Sequence, residues 1–195
     1  EELFITTLDK SFGGSQNDYL YDFVERPEGG YVLVGPSRSG TDGTKTSPNF
    51  GGSDMWVVGV DAAGRSLWDR TFGGSADDYG NHVILTKEGD RIVVGGFSYT
   101  LGTSGNKITP NSDDFWVLGL DTSGTRLWEK SLGGEGGGVN DSLARIIQVS
   151  DGGFMLFGTS YSQPAGAKTA PSFGQTDFWI VRTDANLNPL WDKSF

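Results

Sequence analysis

The sequence predicts an all-β protein built as three consecutive four-stranded antiparallel sheets of the β-propeller blade type, and three observations predict it. First, the block Leu67-Trp68-Asp69-Arg70-Thr71-Phe72-Gly73-Gly74 returns as Leu127-Trp128-Glu129-Lys130-Ser131-Leu132-Gly133-Gly134 and again as Leu190-Trp191-Asp192-Lys193-Ser194-Phe195. Second, each interval holds four short apolar runs divided by turn signals, with no helical period longer than two turns. Third, runs such as Val32-Leu33-Val34, Ile92-Val93-Val94, Met155-Leu156-Phe157 and Trp116-Val117-Leu118 are continuously apolar, which requires both faces of the sheet to be covered. A blade wedged between two neighbours meets that requirement, whereas the sheets of a two-layer sandwich do not, so radial repetition is favoured.

The spacing sets the organisation. Trp68 and Trp128 lie 60 residues apart and Trp128 and Trp191 lie 63 apart, while Leu8-Asp9-Lys10-Ser11-Phe12-Gly13-Gly14 echoes the block once more. The chain, 1–195, therefore reads as a single repeat domain with copies at 12–71, 72–131 and 132–194, preceded by an orphan strand at 3–11. The third copy is longer because its opening loop, Gly133 to Asn140, is expanded. Within each copy the first strand is expected at Asp22 to Glu25, His82 to Leu85 or Arg145 to Gln148. A tight turn with an acidic-then-glycine pattern follows (Pro27-Glu28-Gly29-Gly30, Lys87-Glu88-Gly89-Asp90, Ser150-Asp151-Gly152-Gly153), the chemistry a hairpin needs where φ is positive. The second strand runs Tyr31 to Gly35, Arg91 to Gly95 or Phe154 to Gly158. A polar loop of nearly 20 residues leads to the third, Met55 to Val60, Phe115 to Leu120 or Phe178 to Thr183. A short turn such as Asp61-Ala62-Ala63-Gly64 then feeds the fourth strand and its tryptophan.

Composition excludes several partners. A net charge of −10 lacks the basic surface that nucleic acid or an anionic membrane requires. No apolar run approaches the roughly 18 residues of a membrane-spanning helix, so no membrane insertion is expected. With no cysteine there are no disulfides, thiolate metal sites or cysteine nucleophiles.

These motifs resemble a bacterial family of secreted and surface-anchored repeat proteins. The family pattern is a tryptophan, a charged pair, Ser/Thr, an aromatic and Gly-Gly, then Asp-Gly-Gly-aromatic, Asp-aromatic-Trp and Asp-x-x-Gly ahead of the next tryptophan. Here it reads Trp68…Phe72-Gly73-Gly74, Asp151-Gly152-Gly153-Phe154, Asp177-Phe178-Trp179 and Asp121-Thr122-Ser123-Gly124…Trp128. The resemblance covers nearly the whole chain. It implies a propeller-like fold and a secreted or cell-surface address, often reached through a type IX system. The Asp-x-x-Gly-x-x-x-Trp element also resembles the Asp-box hairpin of sialidase propellers and the tryptophan-docking motif of quinoprotein propellers, where both are structural. Three blades are fewer than the usual ~4–8. The arrangement therefore reads as part of a longer propeller, as half of a six-bladed ring completed by a homodimer, or as a three-fold β-prism.

Candidate chemistry is sparse. Aspartates recur as Asp18, Asp78 and Asp141; Asp54, Asp114 and Asp177; and Asp61, Asp121 and Asp184. Carboxylate clusters suit calcium or glycoside chemistry, yet an aspartate present in every copy beside glycine turns is expected to fix those turns through backbone N–H groups. His82, the single histidine, aligns with Asp22 and Arg145 and is read as a tolerated polar residue at a strand edge. Lys45, Lys107 and Lys168 sit mid-loop ahead of Pro48, Pro110 and Pro171, which excludes a phosphate loop and suggests that each lysine ties its loop down by pairing with an aspartate. The repeating tryptophans are expected to pack blade to blade. A specific site belongs where the copies differ, which selects Arg38, Tyr99 and Tyr161 in the long loops as ligand contacts, with the Gly133 to Asn140 insertion as a second candidate. The expectation is a non-enzymatic extracellular module for scaffolding or adhesion that binds protein or glycan, without a catalytic set or cofactor beyond optional calcium. A lectin-like binder and a glycan-cleaving propeller with aspartates in a central channel are the alternatives.

Overall fold

A computed structural model describes residues 9–110, 114–134 and 141–195, so most of the expected orphan strand and of the Gly133–Asn140 insertion lies outside the described residues. The described chain is all-β, in three four-stranded antiparallel meanders. The first sheet is β1 (Asp22–Glu25), β2 (Tyr31–Ser37), β3 (Asp54–Val60) and β4 (Ser66–Phe72). The second is β5 (Asp78–Leu85), β6 (Arg91–Ser98), β7 (Asp114–Asp121) and β8 (Arg126–Leu132). The third is β9 (Ser142–Gln148), β10 (Phe154–Ser160), β11 (Asp177–Thr183) and β12 (Pro189–Ser194). Each sheet is a propeller-like blade. The strands run further than the sequence suggested, to Ser37, Ser98 and Ser160, which shortens the long loops.

The sheets stack in chain order. Val34, Met55 and Val57 of the first pack on Val94, Trp116 and Leu118 of the second. Val93, Phe115 and Val117 of the second pack on Leu156, Trp179 and Val181 of the third. This is why the strands are apolar on both faces: each middle strand serves two junctions. The innermost strands carry the packing, with β5 against β1, β2 and β3, and β9 against β5, β6 and β7. The stack is not closed, so the three-fold prism is not formed.

Two irregularities recur. The outermost strand of each sheet bulges at Leu67, Leu127 and Leu190. The bulge turns these leucines outward and lays the neighbouring tryptophan along the sheet. In the first two sheets the ring lies over a mid-strand glycine, where a Cβ on Gly59 or Gly119 would meet it at 2.3 or 2.0 Å. The innermost strand bulges at Asn81 and Ala144. Asn81 uses that position to donate from Nδ2 to Leu143 O of the next sheet at 2.7 Å.

Trp68 also crosses a junction. Its Nε1 donates to Thr122 O at 3.2 Å, and its ring lies against Gly124, held at φ +80° in the β7–β8 turn. The blade-to-blade role read from the repeat is thus seen directly for Trp68. Trp128 packs against the buried cluster that the second and third sheets share, which includes Leu187. Leu187 takes the turn position of Gly64 and Gly124 and adopts their left-handed backbone at φ 59°.

The carboxylate after each tryptophan pins the long loop to the outer strand. Asp69 accepts from Ser47 N at 2.9 Å, Thr46 N at 3.2 Å and Trp56 Nε1 at 2.9 Å. Asp192 does the same for Thr169, Ala170 and Trp179 Nε1. Burial works against the Asp69 charge, but bonds from Ser47, Thr46 and Trp56 override it and hold the group at about 2. In the second sheet Glu129 replaces the aspartate. It accepts from Ile108 and Thr109 N–H groups but leaves buried Trp116 Nε1 without an acceptor.

Two substitutions test this architecture by urea denaturation. Trp68→Ala is expected to cost about 2–3 kcal/mol, and Leu67→Ala, on the exposed bulge, less than about 0.5 kcal/mol; equal costs would refute the cross-junction role. Glu129→Asp is expected to gain about 1 kcal/mol by supplying the missing acceptor to Trp116, and a loss of stability would show that the indole needs none.

Candidate functional site

The inner ends of the first two sheets gather a strip of aromatic side chains. Tyr79 on β5 and Phe97 on β6 are direct cross-strand partners, so strand alternation puts both rings on one face. They stack at 4.7 Å with planes 17° apart. Tyr99, just beyond β6, meets both edge-on, 6.2 Å from Tyr79 and 5.2 Å from Phe97. Tyr19 and Tyr21 precede β1, 6.4 Å apart and more than half exposed. Their strand continues the ladder, with Tyr19 N–H to Pro36 O and Tyr21 N–H to Val34 O.

Arg38 stands beside this strip. Its Nε donates to Ser53 Oγ at 2.9 Å, and one terminal nitrogen reaches both oxygens of Asp77 at 3.3 and 3.4 Å. Burial raises the Tyr79 phenol above its ordinary value, Asp77 and Tyr99 add to this, and Arg38 opposes it. The two selected residues Arg38 and Tyr99 therefore converge on Tyr79, a residue that selection by loop variability passed over. Tyr161 occupies the matching register on the third sheet, exposed, with its N–H on Asp141 Oδ1 at 3.1 Å. Among the described residues no ring contact joins it to the strip. The signal that locates the rest is alternation: Tyr19-Leu20-Tyr21 and Phe97-Ser98-Tyr99 place rings on one side of an inner strand.

The recurring aspartates are engaged in holding turns and loops. Asp18 accepts from Gly14 N, Ser37 Oγ and Ser39 Oγ. Asp78 accepts from Gly74 N and Thr100 Oγ1, and Asp141 from Tyr161 N and Ser162 Oγ. Asp54 and Asp177 accept the N–H of Phe50 and Phe173. Asp61, Asp121 and Asp184 each cap the β-turn that follows, accepting the N–H groups two and four residues on. Among the described residues no three His, Asp or Glu side chains are grouped to hold a metal ion.

Two expectations need correction. The loop lysines are almost wholly buried, but among the described residues Lys45 and Lys168 form no ion pair with a carboxylate. Lys45 Nζ donates to Ser47 O at 2.7 Å, and Lys168 Nζ to Ser160 Oγ and Ser162 O at 2.8 Å, each about 6 Å over the ring of Trp56 or Trp179. Aspartates balance the charge from further away: Asp69, Asp54 and Asp18 all raise the Lys45 pKa against the larger effect of burial. The carbonyl contact lets each lysine close its own loop, Lys45 on Ser47 O and Lys168 on Ser162 O.

His82 is likewise no permissive strand-edge residue. It is buried, its Nδ1 accepts from Ile146 N at 3.2 Å, and its Nε2 lies 3.5 Å from Asp22. Asp22 itself accepts from Val83 N at 3.0 Å. One repeat position thus supplies, in two successive blades, the acceptor for the free inner-edge N–H of the next blade.

No protein-family model matches the chain, and no curated protein matches it.

Two buried groups give opposite pH dependences. Burial pulls the His82 pKa down, with Asp22 opposing and Arg145 adding. Its contribution is intact above the ordinary histidine value of about 6.5 and is lost as pH falls from there through the folded pKa. His82→Asn, which keeps an acceptor, is expected to flatten that loss in denaturation midpoints; an unchanged slope would remove His82 as its source. Burial raises Asp54 to about 7, helped by Asp78 and opposed by the Phe50 N–H and Lys45. Its contribution is therefore full below about 4 and lost as pH rises to its folded value. The stability of Asp54→Asn over the wild type is expected to grow by on the order of 4 kcal/mol across that window, and a constant difference would contradict the raised pKa.

Proposed function

We propose that the protein is a non-enzymatic, secreted or surface-exposed adhesion module that holds a glycan on the aromatic strip of its first two blades. The observation that carries this reading is the convergence of Tyr19, Tyr21, Tyr79, Phe97 and Tyr99 with the Arg38–Asp77 pair on one surface. Tyrosine faces offer flat apolar area to the C–H face of a sugar ring at low entropic cost, and their hydroxyls stay in water. The guanidinium and carboxylate beside them supply both donors and acceptors for sugar hydroxyls. A neutral or basic glycan fits best, since the chain carries a net charge of −10.

A glycan-cleaving role is less well supported. Asp54 and Asp78 have raised pKa values, a common mark of acid–base residues, but both are wholly buried beneath the blade junction and hold backbone N–H groups. A substrate has no route to them. The resemblance to exported bacterial repeat proteins supports the extracellular address.

A glycan array followed by titration calorimetry tests the proposal. A selective hit whose Kd weakens about tenfold, or about 1.4 kcal/mol, in each of Tyr21→Ala, Arg38→Ala and Tyr99→Ala is expected. Binding that none of the three disturbs, no binding above background, or turnover of a polysaccharide lost with one aspartate would each overturn it.

A further inference from the structure

The two junctions between sheets differ at one corner, beside the turns that join β1 to β2 and β5 to β6. Those turns share their closing bonds. Gly29 N–H donates to Arg26 O and Gly89 N–H to Thr86 O, while Arg26 N–H donates to Gly30 O and Thr86 N–H to Arg91 O. Arg26 and Thr86 are therefore equivalent positions, as are Glu28 and Glu88, and the second turn carries one extra residue ahead of β6.

In the first blade the chain fills this corner itself. Arg26 lies two residues beyond Val24, which packs on the core shared with the second sheet, so alternation turns Arg26 to the same junction. Its side chain is only 10% exposed, pairs with Glu28, and has Nη1 wholly buried. A second guanidinium, that of Arg70, lies 6.0 Å over the ring of Trp68, whose Nε1 bonds to Thr122 O. Pro27 closes the gap to the next turn, its Cγ 3.2 Å from where a Cβ on Gly89 would stand.

The second blade lacks each of these fillers. Thr86 replaces Arg26 and turns its hydroxyl back to Asp90 at 2.8 Å. Lys130 replaces Arg70, and among the described residues no cation lies over the Trp128 ring. What remains is a cavity of about 200 Å³ between the second and third sheets, lined by Thr86, Glu88, Trp128, Gln148 and Phe154. Gln148 is fixed across the junction by the Lys87 N–H at 2.6 Å, so this wall is preformed. The space is far more than one water needs and less than the ~300–1,000 Å³ of a drug-sized pocket, which suits a single group the size of a side chain.

The charges on the cavity select its occupant. Asp90 and Arg91 also line it and face each other at 3.6 Å. Glu88 stands exposed at the mouth and, among the described residues, forms no ion pair, although Glu28 at the same position holds a guanidinium. We infer that this cavity is a binding site for an alkylguanidinium supplied from outside the chain, seated where Arg26 sits in the first blade. Its fork donates to Glu88 as Arg26 donates to Glu28, and its plane lies on the free face of Trp128. A planar, weakly hydrated guanidinium fits this half-buried slot better than an ammonium group does. The site lies at the opposite end of β5 and β6 from Tyr79 and Phe97, so it is separate from the aromatic strip.

NMR titration of the 195-residue chain tests this, reading the Trp128 indole N–H resonance as assigned through Trp128→Phe. N-acetyl-arginine amide is expected to shift that resonance saturably, and N-acetyl-citrulline amide, matched in shape but uncharged, to bind about tenfold more weakly. Glu88→Gln is expected to weaken arginine-amide binding about tenfold. Thr86→Arg is expected to abolish it by refilling the corner, and Glu28→Gln, at the corner already filled, to leave it unchanged. Glu88→Gln alters an exposed turn residue and decides the matter even where Thr86→Arg fails to fold. Methylguanidine separates the sources: comparable binding marks a free guanidine, and binding of the arginine amide alone marks an arginine side chain of a peptide. No saturable shift with either cation, equal binding of the citrulline analogue, or binding undiminished in Glu88→Gln would overturn the inference.

Discussion

The structure depends on one crossing: the Gly-Gly step that carries the chain from the outer strand of one blade to the inner strand of the next. At Gly73 a Cβ would stand 2.0 Å from Asp54 Oδ1 and 2.8 Å from Asp78 Oδ2, and at Gly133 it would stand 1.9 Å from Asp114 Oδ1. Only glycine fits between those carboxylates. The carbonyl of the same residue then receives two N–H groups from the long loop of the blade being entered, Asn106 and Lys107 on Gly73 and Ala167 and Lys168 on Gly133. The crossing therefore joins the old blade's third strand, the new blade's first strand and the new blade's loop at a single backbone position. The buried lysine belongs to this unit. Its own N–H is one of the two that grip the glycine, and its ammonium group moderates carboxylates that burial would otherwise neutralise.

Around that constant unit the copies answer the same local problem in different ways. The inner-edge N–H of each entered blade needs an acceptor; the first blade offers Asp22, the second His82, and the third carries Arg145 at that position, which has none to offer. The indole of each third strand needs an acceptor too, met by Asp69 and Asp192 but not by Glu129, whose extra methylene carries the carboxylate past it. The turn that supports the preceding tryptophan uses Gly124 once and Leu187 once. The leucine accepts an unfavourable positive φ, which costs on the order of 1–2 kcal/mol, in return for complete burial in the junction. Such exchanges are tolerable because each affects one junction only, as expected of a repeat whose units touch only their neighbours.

The fold was legible because its determinants repeat. The Trp-charged-charged-Ser/Thr block, the glycine turns and the doubly apolar strands each state the same unit three times, and the structure returns that unit with strands lengthened by a few residues. Arg38 and Tyr99 stood out in the sequence only as points of difference between copies. Tyr79 did not stand out, because its place beside them comes from a cross-strand partnership with Phe97 and from Arg38 and Tyr21 arriving from another blade. His82 was misread for a related reason. Its alignment with Asp22 and Arg145 suggested indifference, whereas Asp22 and His82 share the one property that the position uses, an acceptor aimed at the neighbouring strand. Lys45 and Lys168 were placed correctly in their loops but given the wrong partner, because sequence does not reveal which carbonyl of the folded loop comes within reach of the ammonium group.

Conserved and divergent positions within the chain consequently divide the surface by role. Where the copies agree, at the glycine crossings, the turn aspartates and the tryptophans, the side chains are consumed by making one blade fit the next. Where they differ on the inner rim, the side chains stay accessible and cluster: aromatic on the first two blades, with charge only at Arg38 and Asp77.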